Sequence, residues 1–199
     1  MIELSTVKLP SPDMNKLLAH LLVKRKSIRK YGKDSVDLTT LSQLLWYTYG
    51  LIDGKRRVVP SAGATYPVEV YVVVKNVVGL EPGIYKYNEY NHTLELVKQG
   101  DYSRELARAC LDQSWVRNAV LNIVLVARYE KTTGWYGERG FRYIYMEAGH
   151  IGQNIYLAAA EMGLGTVAVG AFNDEEVLGL LGLGEEYIAL YVFPIGKPL

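Results

Sequence analysis

Apolar positions along the chain fall into two periods. Leu17, Leu18, Leu21 and Leu22 repeat at three to four residues, which predicts a first helix. Ser11-Pro12-Asp13 would start it: a capping hydroxyl, proline in the first turn, then an acid at the positive end of the dipole. It would stop in the basic run Lys24 to Lys30. Asp37 can cap a second helix with Leu38, Leu41, Leu44, Leu45 and Thr48 on one face and Gly50 at its end. Val68 to Val74 is β-branched and apolar enough for a buried strand, and Leu121 to Ala127 is read as another. Gly83 to Tyr87 and Thr93 to Val97 predict a hairpin around Asn88 to His92. Asp101 can cap a short helix through Leu106 and Cys110. The longest helix is expected from about Gly137 to Met162, with Phe141, Ile144, Ala148, Ile151, Ile155 and Ala159 at helical spacing. Thr166 to Ala171 reads as a strand, Asn173 and Glu176 as a capping box, and Tyr187 to Ile195 as the final strand. Helices and strands are mixed without regular alternation and without a linker. That predicts an α+β fold in a single domain over residues 1–199.

Composition narrows the function classes. The chain has 199 residues, 49% of them hydrophobic and 22% charged, enough for one sizeable core. Lys+Arg number 22 against 21 Asp+Glu, and a net charge of +1 speaks against a dedicated nucleic-acid binder. Cys110 is the only cysteine, so neither an internal disulfide nor a cysteine-based metal cluster can form. His20, His92 and His150 show no metal-ligand spacing. Residues 1–10 lack the pattern of a signal peptide, and Ala148 to Ala160 is too short to span a bilayer. A reduced, cytoplasmic setting without a membrane is therefore expected.

Three segments could carry chemistry. In Arg25-Lys26-Ser27-Ile28-Arg29, an extended backbone would point Arg25, Ser27 and Arg29 to one side, a geometry suited to a phosphate monoester. A solvated basic face after a helix, or a nucleic-acid patch, are the alternatives. Pro60-Ser61-Ala62-Gly63, continuing to Pro67, is small and uncharged, so a flat ligand could approach its backbone; a tight turn before a strand explains it equally. Ala168-Val169-Gly170-Ala171 would leave strand amides unshielded for a planar group, or merely allow close helix–strand packing. His150, Gln153 and Asn154 form a polar stripe on the long helix, where Glu147 and His150 are spaced to pair. No Walker loop, Rossmann fingerprint or serine-hydrolase elbow is present.

Taken in order, several segments resemble the nitroreductase family of FMN-dependent oxidoreductases. Within it the chain looks most like the branch of the SagB-type dehydrogenases, which oxidise azolines in peptides to azoles. The segments are Arg25 to Tyr31, Leu44 to Gly50, Pro60 to Pro67, Gly83-Ile84-Tyr85, Glu147 to Asn154, Gly163-Leu164-Gly165 and Pro194 to Pro198. The resemblance implies a mixed central sheet flanked by helices, in an intertwined homodimer with two FMN molecules at the subunit interface. It implies that Arg25, Ser27 and Arg29, with Lys26 beside them and Lys197 arriving from the far end, hold the phosphate. Pro60 to Gly63 would contact the flavin bound mainly by the partner subunit. Ala168 to Ala171 would lie along the ring, with the amide of Gly170 or Ala171 near N5. The activity implied is hydride transfer through flavin between a nicotinamide or other donor and a small organic substrate. Azoline oxidation with partner proteins, and a flavin-binding module without turnover, are the alternatives. One position departs from the azoline oxidases: where they carry Lys-Tyr before the long helix, this chain has Trp135-Tyr136. The lysine base is absent, and Tyr136 remains as the candidate proton donor or acceptor.

Overall fold

The computed structural model describes Pro10, Ser11 and residues 13–199. Its strands are β1 (Val36–Asp37), β2 (Val68–Val74), β3 (Val77–Val78), β4 (Gly83–Asn88), β5 (Thr93–Gln99), β6 (Leu121–Arg128), β7 (Gly165–Thr166) and β8 (Tyr187–Gly196). Its helices are α1 (Leu17–Lys24), α2 (Leu38–Tyr49), α3 (Ser103–Ala109), α4 (Ser114–Asn118), α5 (Glu130–Tyr136), α6 (Arg139–Glu161) and α7 (Asp174–Leu181).

The β-branched runs form the centre. Strand order is β5-β4-β2-β6-β8-β7, with every neighbouring pair antiparallel. Parallel pairing occurs between β1 and β3, and where Ser27 bridges Thr166 beside β7, so the arrangement is mixed. Alternation along β2 and β6 sends side chains to two cores. Val70, Val72, Ile123 and Leu125 pack with Leu41, Leu44, Ile151 and Ile155 of α2 and α6. Tyr71, Val73, Val124 and Val126 pack with Leu106, Val116 and Val177 of α3, α4 and α7 and with Cys110 at the end of α3. Burial on both faces is why these strands read as largely apolar runs, interrupted at Glu69 and Asn122. No helix among the described residues is long and apolar enough to cross a membrane.

Local signals account for the starts of α2 and α7, whereas α3, expected to be capped by Asp101, has Tyr102 at its N-cap and no side-chain cap there. The Asp37 side chain accepts the Thr40 amide at 2.6 Å, and Asn173 accepts that of Glu176 at 3.0 Å. The first helix starts later than expected. It begins at Leu17 without a side-chain cap, while Asp13 instead accepts the Asn15 amide at 3.0 Å; Pro12 lies outside the described residues. The strand expected over Thr166 to Ala171 is also shorter. Only Gly165 and Thr166 pair continuously with β8, and after them Val169 alone bridges Val192. Between those contacts the Ala168 amide turns away from the ladder to the Tyr156 hydroxyl.

Two short helices, α4 and α5, were not anticipated. Five and seven residues are too few to show a helical period in sequence. The Glu147–His150 pair does not form: Glu147 is buried and bonded elsewhere, and His150 is exposed.

Candidate active site

The segment after α1 leaves the helix in an extended conformation at Arg25 (φ −60°, ψ 122°). It runs beside β7, the Ile28 amide donating to the Thr166 carbonyl at 2.8 Å. Only glycine permits this approach: a Cβ on Gly165 would lie 2.7 Å from Ile28 Cγ2. Tyr156 of α6 gathers the segment's functional groups. Its hydroxyl is 2.9 Å from Ser27 Oγ, accepts the Ala168 amide at 2.9 Å, and its ring lies 5.2 Å from the Arg25 guanidinium carbon. Arg25, Ser27 and Ala168 thus meet around one phenol.

Arg29 lies further along, its guanidinium carbon 5.6 Å from the Trp115 ring. Lys26 lines a groove of about 430 Å³ with Lys24, Ile28, Tyr156 and Gly163. Lys197 comes from the far end of the chain. Its carbonyl accepts the Gly32 amide at 2.9 Å, and Pro198 bridges Tyr31. Among the described residues, none of Arg25, Lys26, Arg29 and Lys197 forms an ion pair. Cations free of such pairs among the described residues, with Asp37 close enough to Lys197 to feel its charge, suit a ligand that brings its own negative charge. Beside them, Gly170 and Ala171 are exposed past the last bridge of the edge, with the Ala171 carbonyl accepting the Gln113 amide at 3.0 Å. Small exposed residues next to these cations fit a phosphate joined to a flat ring, the shape of FMN.

A second cluster forms around the loop from Pro60. Ala62–Ala64 make one turn of 3-10 helix, with left-handed backbone at Gly63 (φ 57°), Ala64 (φ 53°) and Tyr66 (φ 44°). Such strain persists only where surroundings hold it. Here α5 covers the turn. Thr132 Oγ1 is 2.8 Å from Thr65 Oγ1, and the Tyr136 hydroxyl would lie 2.6 Å from a Cβ on Gly63. The Tyr136 ring packs edge-on to Tyr143 at 5.0 Å, and Trp135 beside it is 83% exposed.

Beneath the turn lies a buried polar network. Tyr49 of α2 donates to Glu147 Oε1 of α6 at 2.6 Å. Ser61 Oγ accepts the Tyr66 amide at 3.0 Å. Arg57 lies between the Tyr49 and Tyr66 rings, 4.2 and 4.8 Å from their centroids, and pairs with Glu89. Burial pushes the Glu147 carboxyl above its ordinary range, opposed by the hydrogen bond from Tyr49 and by the Arg57 charge. Burial and the neighbouring Glu147 both push the Tyr49 phenol up.

The two clusters sit apart on one chain. Glu147 and Tyr156 are nine residues apart on α6, roughly 13 Å along its axis. Sequence reading missed Tyr156, Glu147 and Arg57 as organising residues. Glu147 carried a signal, because it falls on the stripe of Ile144, Ala148 and Ile151, where an acid must find partners. Tyr156 and Arg57 carried none: a border tyrosine and a loop arginine are ordinary in sequence.

Comparisons with known proteins agree with this fold. The Nitroreductase family pattern matches residues 22–197. A protein of Methanocaldococcus jannaschii, named as a nitroreductase, is 43% identical over 196 residues, covering 98% of each chain. The microcin B17-processing protein McbC of Escherichia coli is 27% identical over 79% of this chain and 60% of its own length. The E. coli microcin synthetase McbBCD complex, with truncated pro-MccB17 bound, superposes with a TM-score of 0.80 at 25% identity, over 100% of this chain and 77% of that one. A Ralstonia eutropha protein, named as a nitroreductase, superposes with a TM-score of 0.81 at 29% identity, over 96% and 88%. With the family pattern spanning nearly the whole chain and the fold matching throughout, the chain belongs to the Nitroreductase family.

Proposed function

We propose that this protein is an FMN-dependent oxidoreductase that works as a homodimer. One observation carries the reading: the Arg25–Ser27–Tyr156–Ala168 knot sets a guanidinium without an ion pair among the described residues beside the start of an edge of small residues. Arg25, Ser27 and Arg29, with Lys26 and Lys197 adding positive charge, would hold the phosphate. Tyr156 fixes Ser27 and Ala168 in place and leaves Arg25 stacked above its ring. Ala168 to Ala171 would line the flat ring. Pro60 to Gly63 would face the flavin held mainly by the partner subunit, which agrees with the gap between the two clusters. When bound, FMN supplies a centre that takes up and passes on a hydride, from a nicotinamide or other donor to a small organic substrate. Tyr136, with its hydroxyl over Gly63, would hold or give a proton beside the substrate. The helix α1 supports dimerisation, since none of its residues is buried and Leu17, Leu18 and Val23 are 72%, 57% and 71% exposed.

The test is flavin retention. Arg25→Ala with Arg29→Ala should fold like the parent yet lose FMN. Each lost charge-assisted bond costs about 1.5–3 kcal/mol, or roughly tenfold or more in affinity. Flavin content unchanged in that double variant refutes the assignment.

The likeness to McbC favours a second reading, azoline dehydrogenation with partner proteins. Trp135, where the azoline oxidases place a lysine, counts against it. Mass spectrometry of an azoline peptide would decide, since oxidation removes two hydrogens from each ring.

A further inference from the structure

We propose that Tyr156 and Trp115 are positioning residues that make the cationic cradle prefer a flavin bearing a phosphate to one ending in a free hydroxyl. The inference rests on the reading that Arg25, Ser27 and Arg29 hold that phosphate.

A guanidinium on a flexible stem must be held still to grip an anion. A carboxylate would hold it, but would also cancel the charge that the anion needs. Neither Arg25 nor Arg29 has such a partner among the described residues. Each lies instead against an aromatic ring. The Arg25 guanidinium carbon is 5.2 Å from the centre of the Tyr156 ring, and that of Arg29 is 5.6 Å from the centre of the Trp115 ring. A π face attracts a cation through its quadrupole and leaves the net charge intact. The two rings come from different elements, Tyr156 from α6 and Trp115 from α4. Both are anchored by packing. The Tyr156 ring meets Phe193 edge-on at 6.0 Å, and Trp115 packs against the core that α3, α4 and α7 share with the sheet. Trp115 Nε1 is buried and has no hydrogen-bond partner among the described residues. An orphaned indole N–H is a cost that phenylalanine would avoid, so what the indole contributes is its ring.

The Tyr156 hydroxyl adds a second effect. It carries one proton and two lone pairs. The Ala168 amide donates to it at 2.9 Å, which occupies a lone pair and leaves the proton free. Ser27 Oγ lies 2.9 Å away. With a phosphate in the cradle, the phenol proton points to Ser27 Oγ and Ser27 turns its own proton to the anion. Two guanidiniums and an outward hydroxyl proton then face a group that only accepts hydrogen bonds. The free hydroxyl of riboflavin brings no charge to meet them.

A comparison of two flavins tests this. The full chain, stripped of flavin, is titrated with FMN and with riboflavin, each followed by quenching of flavin fluorescence. The ratio of the two dissociation constants is the readout, because a general loosening of the fold weakens both. Tyr156→Phe keeps the ring and loses the hydroxyl, and should lower the preference for FMN about fivefold or more. Trp115→Leu removes the face beside Arg29 and should lower it about two- to fivefold, the size of an exposed cation–π contact. Trp115→Phe keeps a face and should recover most of that loss. In an Arg29→Ala background, Trp115→Leu should take nothing further from the ratio, since its effect runs through Arg29. A parent-like ratio in Tyr156→Phe or in Trp115→Leu overturns the inference for that residue. So does a Trp115→Leu loss that persists without Arg29. If Trp115→Leu does not fold, Tyr156→Phe decides alone. A parent chain that binds FMN and riboflavin equally overturns the phosphate reading itself, and one that binds neither overturns the flavin reading.

Discussion

Gly63 shows how one missing methyl can carry a site. Its backbone is left-handed, and the space where a side chain would start is already bounded by the Tyr136 hydroxyl at 2.6 Å. Gly63→Ala therefore meets two costs. An L-residue in the left-handed region costs about 1–2 kcal/mol, and the phenol must swing aside. Thermal melting should register the change as a fall of roughly 2–8 °C for a chain of this size. The two costs separate in a double-mutant cycle. Tyr136→Phe removes the atom that clashes, so it should recover part of the loss from Gly63→Ala and leave the backbone share behind. Strictly additive melting shifts in the cycle would show that the hydroxyl and Gly63 are not in contact. Cys110 makes the opposite case, a reactive group made inert. It lies in the core with Val116 and Val177, and burial pushes its thiol up to about 12.

At the scale of elements, the β4–β5 hairpin is tied to α2 by one imidazole. His92 Nε2 is 2.7 Å from Ser42 Oγ, and its Nδ1 is 2.8 Å from the Tyr87 hydroxyl. β5 is the edge strand with most of its residues exposed, held otherwise by its ladder to β4 and by Lys98, which donates to the Leu180 carbonyl of α7 at 2.6 Å. Each of the His92 bonds is worth about 1 kcal/mol net. His92→Ala should therefore loosen the hairpin selectively: amide exchange should quicken in β4 and β5 while β2 and β6 keep their protection. Equal loss across the whole sheet would mean that His92 supports global stability and is no local latch. This hairpin was legible in sequence because its turn residues and flanking periods are local. So were α2, α7, β2 and β6, whose caps and apolar runs lie within a few residues. The candidate site was legible where it is a continuous segment, as at Arg25 to Arg29 and Pro60 to Gly63. It was illegible where it depends on distant partners. Ser27 and Tyr156 lie 129 residues apart, and Tyr49 and Glu147 lie 98 apart. The ends of α1 and β7 were misread for the same reason, since both are decided by contacts that local propensity does not contain.

For the molecule as a whole, buried phenols set how stability responds to base. The chain has 16 tyrosines, and several lie in or against its two cores. Burial pushes the Tyr87 hydroxyl up to about 12, and it raises Tyr31, Tyr49 and Tyr71 in the same direction. An unfolded tyrosine loses its proton near pH 10. Between about pH 10 and 12 the unfolded chain therefore binds fewer protons than the folded one. Stability falls with rising pH wherever the unfolded state holds fewer protons. The contribution of these phenols is complete below about pH 10 and is lost as the pH climbs through that window. Each group that titrates only when unfolded costs about 1.4 kcal/mol per pH unit. Four such groups would remove at most about 11 kcal/mol across that two-unit window, comparable to a marginal folding free energy of about 5–15 kcal/mol. Urea unfolding followed from pH 8 to 11.5 should show a level midpoint up to about pH 10 and then a steep decline. Absorbance at 295 nm should show the buried phenols ionising together with the loss of structure, after the exposed ones. Tyr87→Phe cannot ionise at that position, so its decline above pH 10 should be shallower by one group's share. A midpoint that stays level past pH 11, or a Tyr87→Phe profile as steep as the parent's, would place the alkaline limit elsewhere in the molecule.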